Sequence, residues 1–270
     1  MTAATPPLVA ALGWLPTAGP RGQPQLALPT DLYMVTLHCG EDARGGAAPG
    51  MELAVTLLRT RPERFRSRSA GTLAFALLTP AGLLAFLRAP LEGLADRRLP
   101  LAAFCSADEL RRLRDALLAS PDPALRMQLF AGWIERRVAQ RHRYGVAQQR
   151  LAEAAALIQD LQGPLDLAGV RRELRVSPRQ LERDFRAWLG VSPATYARTV
   201  RFQRAAWLLA GGGALADTAA ALAFADQPHL TRTIRQLSSL TPRAFARAAA
   251  SCRTPGSRLL AGRVIVVDAD

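Results

Sequence analysis

Residues 176–198 read VSPRQLERDFRAWLGVSPATYAR and residues 225–247 read ADQPHLTRTIRQLSSLTPRAFAR, and at an offset of 49 the two align without a gap. Leu181 falls on Leu230, Arg183 on Arg232, Phe185 on Ile234, Arg186 on Arg235, Tyr196 on Phe245 and Arg198 on Arg247. Ser192-Pro193 falls on Thr241-Pro242. The preceding LAGVRREL and LADTAAAL match at an offset of 48, so the second copy has one extra turn residue. Matching of this order argues duplication of one structural unit. Each unit reads as a short helix, a turn and a longer helix. Whatever else the chain does, it must accommodate two copies of a helix pair.

The helix starts are marked chemically. Ser177-Pro178, Ser192-Pro193 and Thr241-Pro242 each put a hydroxyl where it can accept from free helix-start amides, and proline at the first helical position loses no bond and is preset in φ. Asp226 can cap the one start that lacks such a pair. At 100° per residue, Leu181, Phe185, Trp188 and Leu189 share one face of the first long helix, while Arg179, Glu182, Arg183 and Arg186 share the other. In the second copy Leu230, Ile234 and Leu237 form the apolar stripe; His229, Arg232, Thr233 and Gln236 form the polar one, with Arg235 at its flank. One such helix alone is an ordinary surface helix. Two capped copies in a basic segment ask for a partner.

Charge points to that partner's chemistry. The formal net charge is +13, and all 35 basic side chains are arginines. The first 140 residues carry 16 arginines against 12 acids, the remainder 19 against 10, so the excess leans to the shorter C-terminal part. That asymmetry favours a polyanion, nucleic acid ahead of an acidic membrane surface. Arginine donates bidentately to the acceptor edge of guanine in the major groove, and hydroxyl and amide side chains suit base or phosphate contacts.

The segment from about 146 to 250 resembles the AraC/XylS family of bacterial transcription regulators, in FADQPHLTRTIRQLSSLTPRAFAR most specifically and in LRVSPRQLERDFRAWLGVSPATYAR equally well. The resemblance implies an all-α DNA-binding domain of two helix-turn-helix modules joined by a long helix. Carried over by position, it puts base-reading residues at Arg179, Glu182 and Arg183 in the first recognition helix and at Pro228, His229 and Arg232 in the second. Pro228 departs from the pattern, since it has no side-chain donor or acceptor. Arg175 and Ala223 stand at turn positions where the family often has glycine, and Ser239 where it commonly has a C-cap glycine. Arg186, Arg201, Arg204, Arg235 and Arg243 are the candidates for phosphate contacts. The connecting helix, Pro193 to about residue 210, would be about 27 Å long, a spacer suited to successive major-groove segments about 34 Å apart. Gly211-Gly212-Gly213 then ends it.

The rest of the chain reads as an α+β domain, residues 26–140, a small β-rich unit followed by helices. LALPTDLYMVTLHCG, MELAVTLLRT and GTLAFALLTP have strand character, and helical signals follow Pro80, with Ser106 and Glu109 in a capping-box arrangement. The stretch from 51 to 137 more faintly resembles the N-terminal domain of some family members, which senses a small molecule or dimerises. Residues 1–25 read as a mobile lead-in, 141–150 as a junction and 251–270 as a tail. The RTRPERFRSR run, 59–68, reads as a solvated loop.

Cys39, Cys105 and Cys252 are odd in number and far apart, which indicates neither a disulfide framework nor a zinc site. His38-Cys39 lacks a second ligand or base, Cys105 reads as packing, and His142 has no evident partner. The apolar runs are too short for a spanning helix, so no membrane and no cofactor is expected. The partners the resemblance implies are promoter DNA, RNA polymerase, a small-molecule effector and a second copy of the chain, in the cytoplasm at the nucleoid. Two alternatives stay open: a fusion with a DNA-repair alkyl transferase, which would need a reactive cysteine in a defined motif, and a sequence-neutral DNA-architectural protein.

Overall fold

A computed structural model of the chain describes residues 7–16, 24–41, 47–66, 71–120, 122–139, 145–161, 166–250 and 264–266. Its strands are β1 (Val9–Pro16), β2 (Pro24–Ala27), β3 (Tyr33–Glu41), β4 (Ala47–Thr56), β5 (Glu63–Arg66), β6 (Gly71–Leu78), β7 (Arg98–Pro100) and β8 (Val264–Val266). Its helices are α1 (Pro80–Leu87), α2 (Ala107–Ala119), α3 (Pro123–Ala139), α4 (Val146–Asp160), α5 (Leu167–Leu174), α6 (Pro178–Leu189), α7 (Pro193–Ala210), α8 (Leu215–Ala221), α9 (Gln227–Ser238) and α10 (Pro242–Ala250). Among the described residues six strands precede the first helix, while β7 follows α1 and β8 follows α10, giving a β-rich N-terminal sheet domain and a helical C-terminal part.

The larger sheet is antiparallel in the order β1-β6-β3-β4-β7. β6 runs GTLAFALL because both its faces are covered. Ala74, Ala76 and Leu78 join the main core, while Phe75 and Leu77 join a smaller one with Leu32. All eight residues of α1 are buried, as expected of a helix apolar all round. Thr79 caps it by accepting from the Gly82 amide at 3.1 Å.

Three expectations are corrected. The lead-in, 1–25, holds β1, which pairs with β6 from Val9↔Leu78 to Pro16↔Thr72; its VAALGWLP does not alternate, so periodicity gives no strand signal. The described part of the arginine run, 59–66, is not simply a solvated loop: β5 pairs with β2, and Arg59 is buried and ion-paired with Glu63, while Arg61 and Arg64 are exposed. The tail contains β8, paired with β2 through Gln25↔Val266, Leu26↔Ile265 and Ala27↔Val264. These pairings join segments too distant in sequence for local patterning to reveal.

The Ser106 cap forms, accepting from the Glu109 amide at 3.2 Å. Glu109's own side chain turns instead to Arg137 and to Trp133, whose Nε1 donates to it at 3.1 Å. A buried guanidinium is the stronger claimant on a carboxylate than an exposed helix-start amide. Arg137 also donates to the Phe86 carbonyl at 3.1 Å and the Phe104 carbonyl at 2.9 Å. The junction divides: residues 145–150 belong to α4 and its start, and 140–144, with His142, lie outside the described residues. Cys105 is buried in the main core, as read from sequence. Burial lowers His38 below its usual value and raises the Cys39 thiol.

Two cores account for the helical part. One continues from the sheet through α1–α4 into α5, α6 and the first half of α7; the other gathers the second half of α7 with α8, α9 and α10.

Candidate nucleic-acid interface

The first helix pair is α5 and α6. Asp166 caps α5 by accepting from the Gly169 amide at 2.7 Å, and Ser177 caps α6 by accepting from the Gln180 amide at 3.1 Å. Between them Arg175 sits in the left-handed region, φ 52. On α6, Leu181, Phe185 and Leu189 are buried, Trp188 is half-buried, and Arg179, Arg183 and Arg186 are exposed beside a part-exposed Glu182.

Asp184, on the buried side, fixes α6 to α4. Arg150 donates to it at 2.8 Å through Nε and lies at 2.6 Å through a terminal nitrogen, and Gln180 donates at 2.7 Å. Gln180 also accepts from Arg183 at 2.5 Å, and Arg186 donates to Glu182 at 2.7 Å. The exposed face of α6 is therefore internally paired, by contacts of the kind worth only a few tenths of a kcal/mol. A phosphate or base edge competes with these contacts at little cost.

The second pair, α8 and α9, repeats the geometry. Ala223, which aligns with Arg175, has φ 51, and Asp226 caps α9 by accepting from the His229 amide at 2.6 Å. Leu230, Ile234 and Leu237 are buried; Pro228, Arg232, Arg235 and Gln236 are exposed, with His229 and Thr233 half-buried. Arg232 and Arg235 make no side-chain hydrogen bond or ion pair among the described residues. The His229 ring packs edge-on to Phe224 at 5.3 Å.

The helix ends differ in one informative way. Gly190 (φ 75) closes α6 and Ser239 (φ 59) closes α9, at positions 49 apart. A Cβ on Gly190 would stand 2.6 Å from the Leu91 carbonyl. Ser239 is exposed and has no such neighbour forcing a glycine.

Joining the pairs is α7, 18 residues and so about 27 Å long. Ser192 caps it, accepting from the Thr195 amide at 3.0 Å, and the glycines end it, with Gly213 donating to the Leu208 carbonyl at 2.9 Å. Thr241 in turn accepts from the Ala244 amide at 3.2 Å at the start of α10.

Residues 170–248 match the family model described as a helix-turn-helix domain. These residues are a helix-turn-helix domain. Within the wider region, the chain is 34% identical over 109 residues to the HTH-type transcriptional regulator GbdR of Pseudomonas aeruginosa, in strains UCBPP-PA14 and PAO1. That match covers 40% of this chain and 30% of the relative's, so the chain spans under a third of the curated relatives it matches. Solved structures of ToxT from Vibrio cholerae O395 are 10% identical over 87% of this chain. One covers 97% of that chain at a TM-score of 0.46; the other, bound to (E)-4-(8-methylnaphthalen-1-yl)but-3-enoic acid, covers 98% at 0.48.

Within this helix-turn-helix domain, the structure brings Arg179, Glu182 and Arg183 together on one face of α6, and Pro228, His229 and Arg232 on the first turns of α9. Arg186, Arg235 and Arg243 flank them, exposed. Arg201 and Arg204 differ from these in donating to backbone carbonyls within the protein. Arg201 donates to the Leu222 carbonyl at 2.9 Å and to that of Ala223, and its guanidinium lies 3.7 Å over the Phe224 ring. Burial lowers its pKa from the ordinary arginine value. Arg204 donates to the carbonyls of Gln159 and Leu161 at the end of α4. Both guanidinium groups are thus engaged by backbone carbonyls at helix ends and turns. Most of α7 is buried, and these two side chains meet protein, while Arg198 on the same helix is exposed.

Sequence reasoning also passed over Gln203, Leu26 and Leu28. Gln203 is buried on α7 and donates to the Pro29 carbonyl, while Leu26 and Leu28 lie in the core of α8–α10. Among the described residues no cluster of three His, Cys, Asp or Glu side chains stands in position to hold a metal ion, and no helix is long and apolar enough to cross a membrane.

Proposed function

We propose that this protein is a transcription regulator that recognises specific double-stranded DNA through α6 and α9, set in successive major-groove segments by the rigid α7. The observation that carries the reading is the pair of capped, arginine-bearing helices, each behind a short helix and a left-handed turn, within a helix-turn-helix domain. In this role Arg179, Glu182, Arg183, His229 and Arg232 meet base edges. Pro228 offers only apolar contact, suited to a thymine methyl. Arg186, Arg235 and Arg243 meet phosphates.

The sheet domain is then the regulatory part, taking a small-molecule effector and pairing with a second copy, with RNA polymerase as a downstream partner in the cytoplasm. Its shared core with α5 and α6 supports that division, because a change in the sheet has a packed route to the first recognition helix. The architectural alternative separates cleanly by competition. A duplex selected by the chain from a random library should outcompete random duplex by about a thousandfold or more at fixed salt. Equal competition by both duplexes would replace specific recognition with sequence-neutral binding.

A further inference from the structure

We propose that the segment Gln25–Pro29 is a positioning strap for the second recognition helix: α9 is held in reading position only while Leu26 and Leu28 are seated in the core of α8–α10. The inference rests on the DNA-reading role proposed above. All other buried members of that core lie between Phe202 and Ala249, yet Leu26 is 2% and Leu28 1% exposed within it. The strap is fastened along its length. Gln25, Leu26 and Ala27 pair with β5 on one side and β8 on the other, and the Pro29 carbonyl takes the buried Gln203 amide of α7.

One residue further on, Thr30 donates to the Arg59 carbonyl at 3.0 Å, tying the strap to the segment that leaves β4. β8, on the strap's other side, packs against α10. The second module's core is thus completed by a segment that lies between β1 and β3 of the larger sheet. The first module has no equivalent, since its apolar face joins the main core directly. A three-strand junction touching the sheet domain therefore sets where α9 stands relative to α7, and positions one reader without the other.

The test uses the full chain and a duplex that it selects itself from a random library, read by hydroxyl-radical footprinting. Wild type should protect two segments about one helical turn apart. Leu28→Ala should weaken binding about tenfold, as expected when only a fraction of molecules holds α9 in place. It should erase protection on the α9 segment and spare the α6 segment, with Leu28→Met restoring both. Amide exchange on the same proteins should speed up in α8 and α9 and stay unchanged in α6. Gln203→Leu, milder because it removes only the tie to Pro29, should shift the footprint in the same direction.

Equal weakening of both segments, or no change in either variant, overturns the strap. A wild-type chain that selects no duplex overturns the DNA-reading role itself, and the strap's with it. A two-segment wild-type footprint that survives Leu28→Ala and Gln203→Leu overturns the strap alone.

Discussion

The two helix-turn-helix modules share caps, turn conformations and exposed arginines, but they are mounted differently. Val170, Leu181, Phe185 and Leu189 of the first lie in one continuous core with Tyr33, Val35 and Phe86 of the sheet domain. The Leu91 amide donates to the Ala187 carbonyl at 2.7 Å, pinning the last turn of α6 to the loop after α1. The second module has its own core, and the sheet side reaches that core through Leu26 and Leu28. Duplication preserved the exposed, arginine-bearing face in both copies. It did not preserve the back of the unit, where the neighbours differ.

Gly190 and Ser239 are the sharpest place to break this comparison. Gly190→Ser should cost about 3 kcal/mol, combining a left-handed side chain with a clash against backbone, and should lower stability of the sheet domain and first module together in chemical denaturation. If the loss stays local to α6, the shared core is not one cooperative unit. Next in size is Arg201→Ala, which removes two charged hydrogen bonds and the stack on Phe224. About 2 kcal/mol is expected, confined to α8 and α9 in amide exchange. A matching change in α6 would erase the distinction between the modules.

Readout is compared by substituting aligned arginines. Arg183→Ala and Arg232→Ala should each weaken binding to a selected duplex by about 1–3 kcal/mol and relax preference at one position each, in different segments. Loss that is equal on selected and random DNA would make both of them phosphate contacts. The smallest effect is Ser239→Gly, expected to raise the unfolding free energy by about 0.5–1 kcal/mol because glycine has no left-handed penalty. A lowered melting temperature would mean that the serine side chain has a stabilising role of its own.

Local chemistry carried the sequence reading far in the C-terminal part. Ser177, Ser192, Asp226 and Thr241 all cap as their spacing implies, and α7 runs from Pro193 to Ala210 as expected. Both signals are written within a few residues of where they act. Arg175, Ala223 and Ser239 keep the left-handed turns without glycine, since packing on both sides overrules the intrinsic preference of a single residue. What sequence did not show was long-range. β1 finds β6 some 60 positions away, and β2 finds β8 across most of the chain. Arg201 and Arg204 resemble the reading arginines in type and differ only in facing carbonyls, a difference set by the burial of α7 and invisible to a count of charge.

The pairing of β2 with β8 also sets an order of completion during synthesis. β2 leaves the ribosome before either module, and β8 leaves after both. Domains generally fold as units as they emerge, N-terminal first, and contacts between distant segments close slowly. A nascent chain that has released α7 already has every segment of the first module's core, while the second still lacks the strand that flanks its strap. On the strap proposed above, newly made molecules would therefore gain the α9 half of their DNA footprint after the α6 half, when β8 docks.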